Sequence, residues 1–203
     1  MHAERRSEPI TVDEWRALER ASDGLKHEYS DGYVYAMAGG SGAHMHIAHN
    51  ITSALNAAFG DGPCLAYSLD MAARISANRY TYPDVVVTCT ERDQPSPDTL
   101  EVSEPQVIFE VLSPSTEHRD RGQKWDYYRQ CASLQEYVLV DTEYQRVEIY
   151  RRTAEGWGLY SIYGPEDAVE LTSLDIHISM AALYHRSGVP TALPEEEDKG
   201  GRL

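Results

Sequence analysis

Two hydrophobic periods run along the chain. Val12, Trp15 and Leu18 recur at helical spacing behind Thr11, with Glu14 three residues on from it, the N-cap and acid of a capping box, so a short helix is predicted there. His27-Glu28-Tyr29 and Tyr33–Met37 are β-prone runs around a Ser30-Asp31-Gly32 turn, a hairpin signal. Gly39, Gly40 and Gly42 interrupt the pattern before a second helix, whose stripe is Ile47, Ile51, Leu55 and Ala58. Strands are expected at 64–75, 80–89 and 106–112, with a polar, proline-containing loop at 91–105 before the last. A third helix over 119–132 carries Trp125, Tyr128 and Ala132 on one side. Strands at 137–140, 147–150 and 157–163 and a short helix at 179–186 complete the pattern. Helices alternating with strands, without an internal repeat or linker, predict one α/β domain with a mixed sheet.

Composition narrows this picture. The 203 residues suffice for one domain, drawn at 10–190 between a polar, flexible start (1–9) and a disordered acidic tail (191–203) containing Glu195-Glu196-Glu197-Asp198. Acidic residues outnumber basic ones 33 to 18, for a formal charge of −15, which argues against a surface built as one phosphate-binding coat. With 41% hydrophobic residues the chain is not wholly disordered. No stretch approaches the ~20 apolar residues that span a bilayer, and the N-terminus lacks an apolar export signal. Cys64, Cys89 and Cys131 are odd in number and widely spaced. They are expected to be reduced thiols in a cytoplasmic protein, neither staples nor zinc ligands.

Two carboxylates sit where packing would not put them. Asp84 follows Pro83 and leads into Val85-Val86-Val87; Glu110 interrupts Val107-Ile108-Phe109 and Val111-Leu112. Continuous apolar strands are buried on both faces. An unpaired carboxylate there is costly or is driven neutral, so each acid needs a cation or a metal ion as partner. On adjacent strands the pair could converge on Mg²⁺, a hard ion that prefers oxygen. Arg119, Arg121, Lys124 and Arg129 make the following segment locally basic, and Lys124, one turn before Tyr128, can lean toward the sheet.

Other signals are weaker. His44-Met45-His46-Ile47-Ala48-His49 approximates a dinuclear zinc motif, but Ala48 stands where an aspartate is required. Of these histidines His44 falls on the Ile47/Ile51 side, while His46 and His49 are expected to face solvent. The Gly39–Gly42 segment has no phosphate-loop ending and reads as a connector. Fourteen tyrosines against two phenylalanines are unusual, and some could stack bases of a single strand, although spacing does not select which.

Tyr82-Pro83-Asp84-Val85, Glu110–Thr116 and Lys124-Trp125-Asp126-Tyr127-Tyr128 together resemble the Uma-type family of restriction endonucleases, within the PD-(D/E)XK nuclease superfamily. The likeness extends through Leu134–Asp141 and Val147–Arg151, and upstream to Glu28, Asp31-Gly32 and Met37–Gly40, so it spans roughly 11–185. It implies a restriction endonuclease-like core, a central mixed β-sheet flanked by helices. It further implies a metal-dependent endonuclease cutting DNA, with Mg²⁺ (or Mn²⁺) on Asp84, Glu110 and the backbone carbonyl of Val111. The superfamily lysine should stand two residues after Glu110, where this chain has Leu112. The resemblance therefore makes Lys124, on the following helix, its replacement. Glu28 and His44 would be accessory groups, and His118, Arg119 and Arg121 phosphate contacts. A homodimer, cutting both strands, is implied as well, while the lack of a bilayer-spanning apolar stretch predicts no membrane partner. The alternatives are a nuclease-like binding module that has lost catalysis and a metal-dependent phosphodiesterase with a non-DNA substrate.

Overall fold

The computed structural model describes residues 8–192 except Ala38, Leu69, Pro97 and Asp98. Most of the expected flexible start and acidic tail therefore lies outside the described residues. The capping box opens α1 (Val12–Ala21): Thr11 Oγ1 accepts the Glu14 N–H at 3.3 Å and Glu14 Oε2 accepts the Thr11 N–H at 2.7 Å. The hairpin β1 (His27–Ser30) and β2 (Tyr33–Ala36) turns through Asp31 and Gly32 at φ 50° and 94°, the left-handed pair that a two-residue hairpin requires. A Cβ on Gly32 would lie 2.8 Å from Pro9 Cβ, a second reason for glycine there. Ser41 caps α2 (Gly42–Phe59), which buries Ile47, Ala48, Ile51 and Leu55, whereas Ala58 is exposed.

The remaining strands are β3 (Leu65–Ser68), β4 (Ala72–Ser76), β5 (Arg79–Thr81), β6 (Val85–Thr88), β7 (Glu101–Val102), β8 (Val107–Val111), β9 (Glu136–Val140), β10 (Val147–Thr153), β11 (Gly156–Tyr163), β12 (Ala168–Leu171) and β13 (Ile176–Ser179). They form a five-stranded sheet in the order β2-β1-β5-β4-β7, a six-stranded sheet in the order β11-β10-β9-β8-β6-β3, and the β12–β13 pair. Among the described residues only β8–β9 and β4–β7 run parallel, so both larger sheets are mixed. The runs 64–75 and 80–89, continuous in the sequence pattern, each divide between these two sheets. The second run crosses at Tyr82-Pro83-Asp84, because proline has no N–H to donate to a ladder. Asp84 thus stands at the seam between the sheets.

The central strands of the six-stranded sheet are covered on both faces, which accounts for their unbroken apolar runs. One face packs Val85, Val87, Val107 and Phe109 against Ile47, Ile51 and Leu55 of α2. The other packs Val86, Ile108, Leu112 and Leu139 against Tyr128 and Leu134. Glu110 alternates with Ile108 and Leu112 and so faces this second layer. The layer's helix is shorter than the pattern predicts and is irregular. A short turn α3 (Glu117–Arg119) leads into a wide π-helical turn (Asp120–Lys124) and then α4 (Trp125–Tyr128), leaving Ala132 exposed beyond it. α5 (Met180–Leu183) closes the α2 side.

The expectation of three reduced thiols needs correction. Cys64 and Cys89 form a disulfide, with Cα atoms 3.9 Å apart, while Cys131 is free and buried. Their separation of 25 residues hides the reason. Antiparallel pairing sets Leu65 opposite Thr88, so the next pair outward is Cys64 opposite Cys89. Among the described residues no helix is long and apolar enough to cross a membrane.

Candidate active site

A cavity of about 460 Å³ opens between the two sheets, closed on its other sides by the start of α2 and the 113–127 segment. Its floor is charged yet withdrawn from solvent: Glu28 is 3% exposed, Asp84 9%, Glu110 2%, Asp120 2% and Lys124 6%. Glu28 comes from the five-stranded sheet, Asp84 from the seam, Glu110 from the six-stranded sheet, and Asp120 and Lys124 from the π-helical turn.

Backbone geometry fixes the two strand acids. Asp84 lies just beyond the last β6–β8 pair, Val85 with Phe109, and its Oδ2 accepts the N–H of Val111 at 2.7 Å. In an extended strand the N–H and C=O of one residue share an edge. The Val111 carbonyl therefore lies on the Asp84 side of β8. Asp84 Oδ2 is also 3.1 Å from His44 Nε2. Gly40 makes room for that imidazole, since a Cβ there would lie 2.5 Å from His44 Nδ1.

Glu110 is gripped at both oxygens. Lys124 Nζ donates to Oε2 at 2.7 Å, and the buried Tyr128 hydroxyl donates to Oε1 at 2.6 Å, with Thr81 Oγ1 3.2 Å away. Lys124 Nζ is also 3.1 Å from Asp120 Oδ1 and 4.0 Å from Glu28 Oε1. Arg119 pairs with Glu28 Oε2. The π-helical turn carries Asp120 and Lys124 to the same side, and Tyr137 pins it by donating its hydroxyl to the Asp120 carbonyl at 3.0 Å.

Four carboxylates, Glu28, Asp84, Glu110 and Asp120, thus meet two permanent cations, Arg119 and Lys124. The surplus negative charge has consequences in so dry a place. Burial, and then the charges of Asp120 and Asp84, hold the Glu110 carboxyl well above its ordinary range despite Lys124. Burial disfavours the Lys124 ammonium, but Glu110, Asp120, Glu28 and Asp84 outweigh it and keep the proton on. Burial likewise opposes charge on His44, and the bond to Asp84 prevails, raising its pKa. Glu28 Oε1 and His44 Nδ1 are buried without a hydrogen-bond partner, and Asp120 Oδ1 has only the Lys124 ammonium beside it.

The structure therefore gathers Asp84, Glu110, Val111, Lys124, Glu28 and His44 around one cavity, with Arg119 at its side. It leaves two of the expected phosphate contacts elsewhere. His118 is exposed outside the cavity. Arg121 is drawn off by Glu117, at 2.6 Å, and by Glu148, which it meets at 2.7 and 3.0 Å. Sequence reasoning overlooked Asp120 and Tyr128 as members of the cluster. The available signal was their spacing, one turn on either side of Lys124.

A family profile described as "Putative restriction endonuclease", Uma2, matches residues 12–182, which include every residue of this cluster. The chain belongs to the Uma2 family. Two uncharacterised proteins of Synechocystis, slr1290 and sll1609, are similar to it. The first is 36% identical over 160 residues, 78% of this chain and 83% of the relative. The second is 32% identical over 153 residues, 74% of this chain and 86% of the relative. The crystal structure of a putative nuclease belonging to DUF820, from Anabaena variabilis, superposes with a TM-score of 0.68 at 21% identity. The match covers 87% of this chain and 98% of that one. The fold of this Uma2 member is accordingly restriction endonuclease-like, with mixed sheets flanked by helices.

Proposed function

We propose that the chain is a divalent-metal-dependent endonuclease that hydrolyses phosphodiester bonds of DNA. The observation that carries this reading is the seam itself: Asp84 clamped to the Val111 N–H, with Glu110 and Lys124 beside it at the floor of an open cavity. The donors suit Mg²⁺ or Mn²⁺. Among the described residues no three acid, histidine or cysteine side chains form a ready-made metal cage. Mg²⁺ commonly does without one, taking one or two carboxylates and keeping several waters. The excess of carboxylates over permanent cations and the unpartnered Glu28 Oε1 leave room for a dication.

Asp84, Glu110 and the Val111 carbonyl would hold the ion. When bound, it would supply a water of lowered pKa and polarise a phosphoryl oxygen. The chain's own groups do the rest. Lys124, kept protonated by the surrounding acids, faces the place where charge grows on the phosphate, where a preorganised cation helps most. Asp120 and Glu110 hold that ammonium in place, His44 orients Asp84, and Arg119 can turn from Glu28 to a phosphate oxygen. A homodimer is part of the proposal. It is supported by β11, an eight-residue sheet edge without a charged side chain that exposes Leu159, Tyr160 and Ile162.

The experiment is incubation of the purified protein with plasmid and oligonucleotides in Mg²⁺ or Mn²⁺, beside Asp84→Ala. Cutting by the wild type alone supports the proposal. Cutting that survives Asp84→Ala refutes the site, and a wild type that binds metal but cuts nothing points to a binding module.

A further inference from the structure

The buried floor constrains what can reach it. A phosphodiester must descend past the rim to carboxylates that are almost wholly covered. In a regular duplex each nucleotide is paired and stacked, and drawing one into a pocket costs that pairing and stacking, a cost an already single strand is spared. The cavity volume, about 460 Å³, falls in the range that encloses one small-molecule-sized unit such as a nucleotide.

The wall matches that unit. Arg79 and Tyr127 both line the cavity, and the Arg79 guanidinium carbon sits over the Tyr127 ring, 3.8 Å from its centroid. Two bonds fix its plane: to Asp31 Oδ2 at 2.6 Å and to Ser30 Oγ at 3.2 Å. A planar guanidinium backed by an aromatic ring is a surface on which an unpaired base stacks without regard to its identity. Tyr35 and Met37 provide further ring and apolar surface in the same cavity.

The charge pattern agrees. Duplex binding draws its affinity from neutralising many phosphates at once. Among the described residues the cations lining the cavity are Arg79, Arg119 and Lys124, a number suited to one or two phosphates, and each is held by an acid (Asp31, Glu28 and Glu110) with which a phosphate would share it.

We infer that the substrate is an unpaired DNA strand, one nucleotide of which enters the cavity with its base stacked on the Arg79–Tyr127 platform. This rests on the nuclease reading above and specifies the substrate class of the same site. The test uses the full chain and one labelled sequence presented as a single strand, as a blunt duplex, and as a duplex with an unpaired tail. Binding is followed by fluorescence anisotropy in Ca²⁺ and cleavage in Mn²⁺.

The single strand should bind at least about tenfold more tightly than the duplex, with cuts confined to the unpaired tail. Tyr127→Ala should weaken single-strand binding roughly five- to a hundredfold, while Tyr127→Phe retains it. Arg79→Lys should lose affinity as well, because an ammonium keeps the charge but not the plane. Equal or preferential binding and cutting of duplex, or no binding to either form, overturns the inference. So does unchanged binding by Tyr127→Ala and Arg79→Lys, each checked for folding by its thermal transition. Selective single-strand binding without any cleavage supports the platform and overturns the endonuclease reading. Cleavage restricted to duplex does the reverse.

Discussion

Glu110 and Glu136 lie on neighbouring parallel strands and are both almost completely buried, yet their surroundings differ in kind. Glu136 is closed. Its Oε1 accepts from Arg151 Nε at 2.7 Å, and its Oε2 accepts from the Ser173 hydroxyl at 2.6 Å and backbone N–H at 3.2 Å. Arg151 in turn donates to the Glu170 carbonyl at 3.1 Å. Glu110 is open: it borders a cavity, shares its lysine with Asp120, and is pushed toward the protonated form first by its burial. A buried acid inside a strand is therefore not itself a sign of chemistry. The sign is an acid left in surplus beside space, since a protein that wanted only packing or pairing would have closed the account as it does at Glu136.

The contrast breaks most sharply on substitution. Glu110→Ala should lower metal-dependent cleavage by at least about a thousandfold, read from initial rates on a labelled oligonucleotide. Glu136→Ala should leave the specific activity of the folded protein within a few fold of wild type. Stability should show the opposite order. Denaturant titration should find Glu136→Ala destabilised by about 3–5 kcal/mol, because Arg151 is left buried without its acid. Glu110→Ala should lose less than half of that, because Lys124 keeps Asp120. A larger loss at Glu110 would class it as structural.

A smaller effect concerns the metal. At a Mg²⁺ or Mn²⁺ concentration near a hundred times Kd, wild-type protein should gain about 2.7 kcal/mol of stability. Asp84→Ala should gain almost none in the same thermal or calorimetric titration, whereas Glu136→Ala should respond fully. An ion-induced shift that survives Asp84→Ala would place the site elsewhere. The mildest test is Tyr128→Phe, which removes one donor from Glu110 and should cost about 1.5 kcal/mol in denaturant titration. No measurable cost would show that the hydroxyl merely fills space.

What the chain disclosed in advance follows from the range of each signal. Local patterns were readable: the Thr11/Glu14 box, the Asp31-Gly32 turn and the α2 stripe depend on residues three or four apart. Asp84 and Glu110 stood out because a carboxylate in an apolar strand is anomalous wherever the strand lies. Lys124 came from family resemblance together with its place one turn before Tyr128. What stayed hidden depends on register between distant segments. The Cys64–Cys89 disulfide, the crossing of the chain between sheets at Pro83 and the capture of Arg121 by Glu148 are all long-range. Glu136 raised no suspicion in the sequence because its partners, Arg151 and Ser173, are 15 and 37 residues away.

The π-helical turn at 120–124 divides the cavity floor between two kinds of support. Glu28 and Glu110 ride on paired strands, and Asp84 is tied to the end of one, so all three are held by the sheets. Lys124 rides on a short, irregular run of helix, fastened to the sheet by Tyr137 and by the ring contacts of Trp125 with Tyr137 and Tyr150. The three sheet-held acids and the pair of Asp120 and Lys124 thus hang from separate frames. Substitutions in the aromatic fastening can move Asp120 and the ammonium together without disturbing Glu28, Asp84 and Glu110, so charge balance and the geometry of the sheet-held acids are independently adjustable.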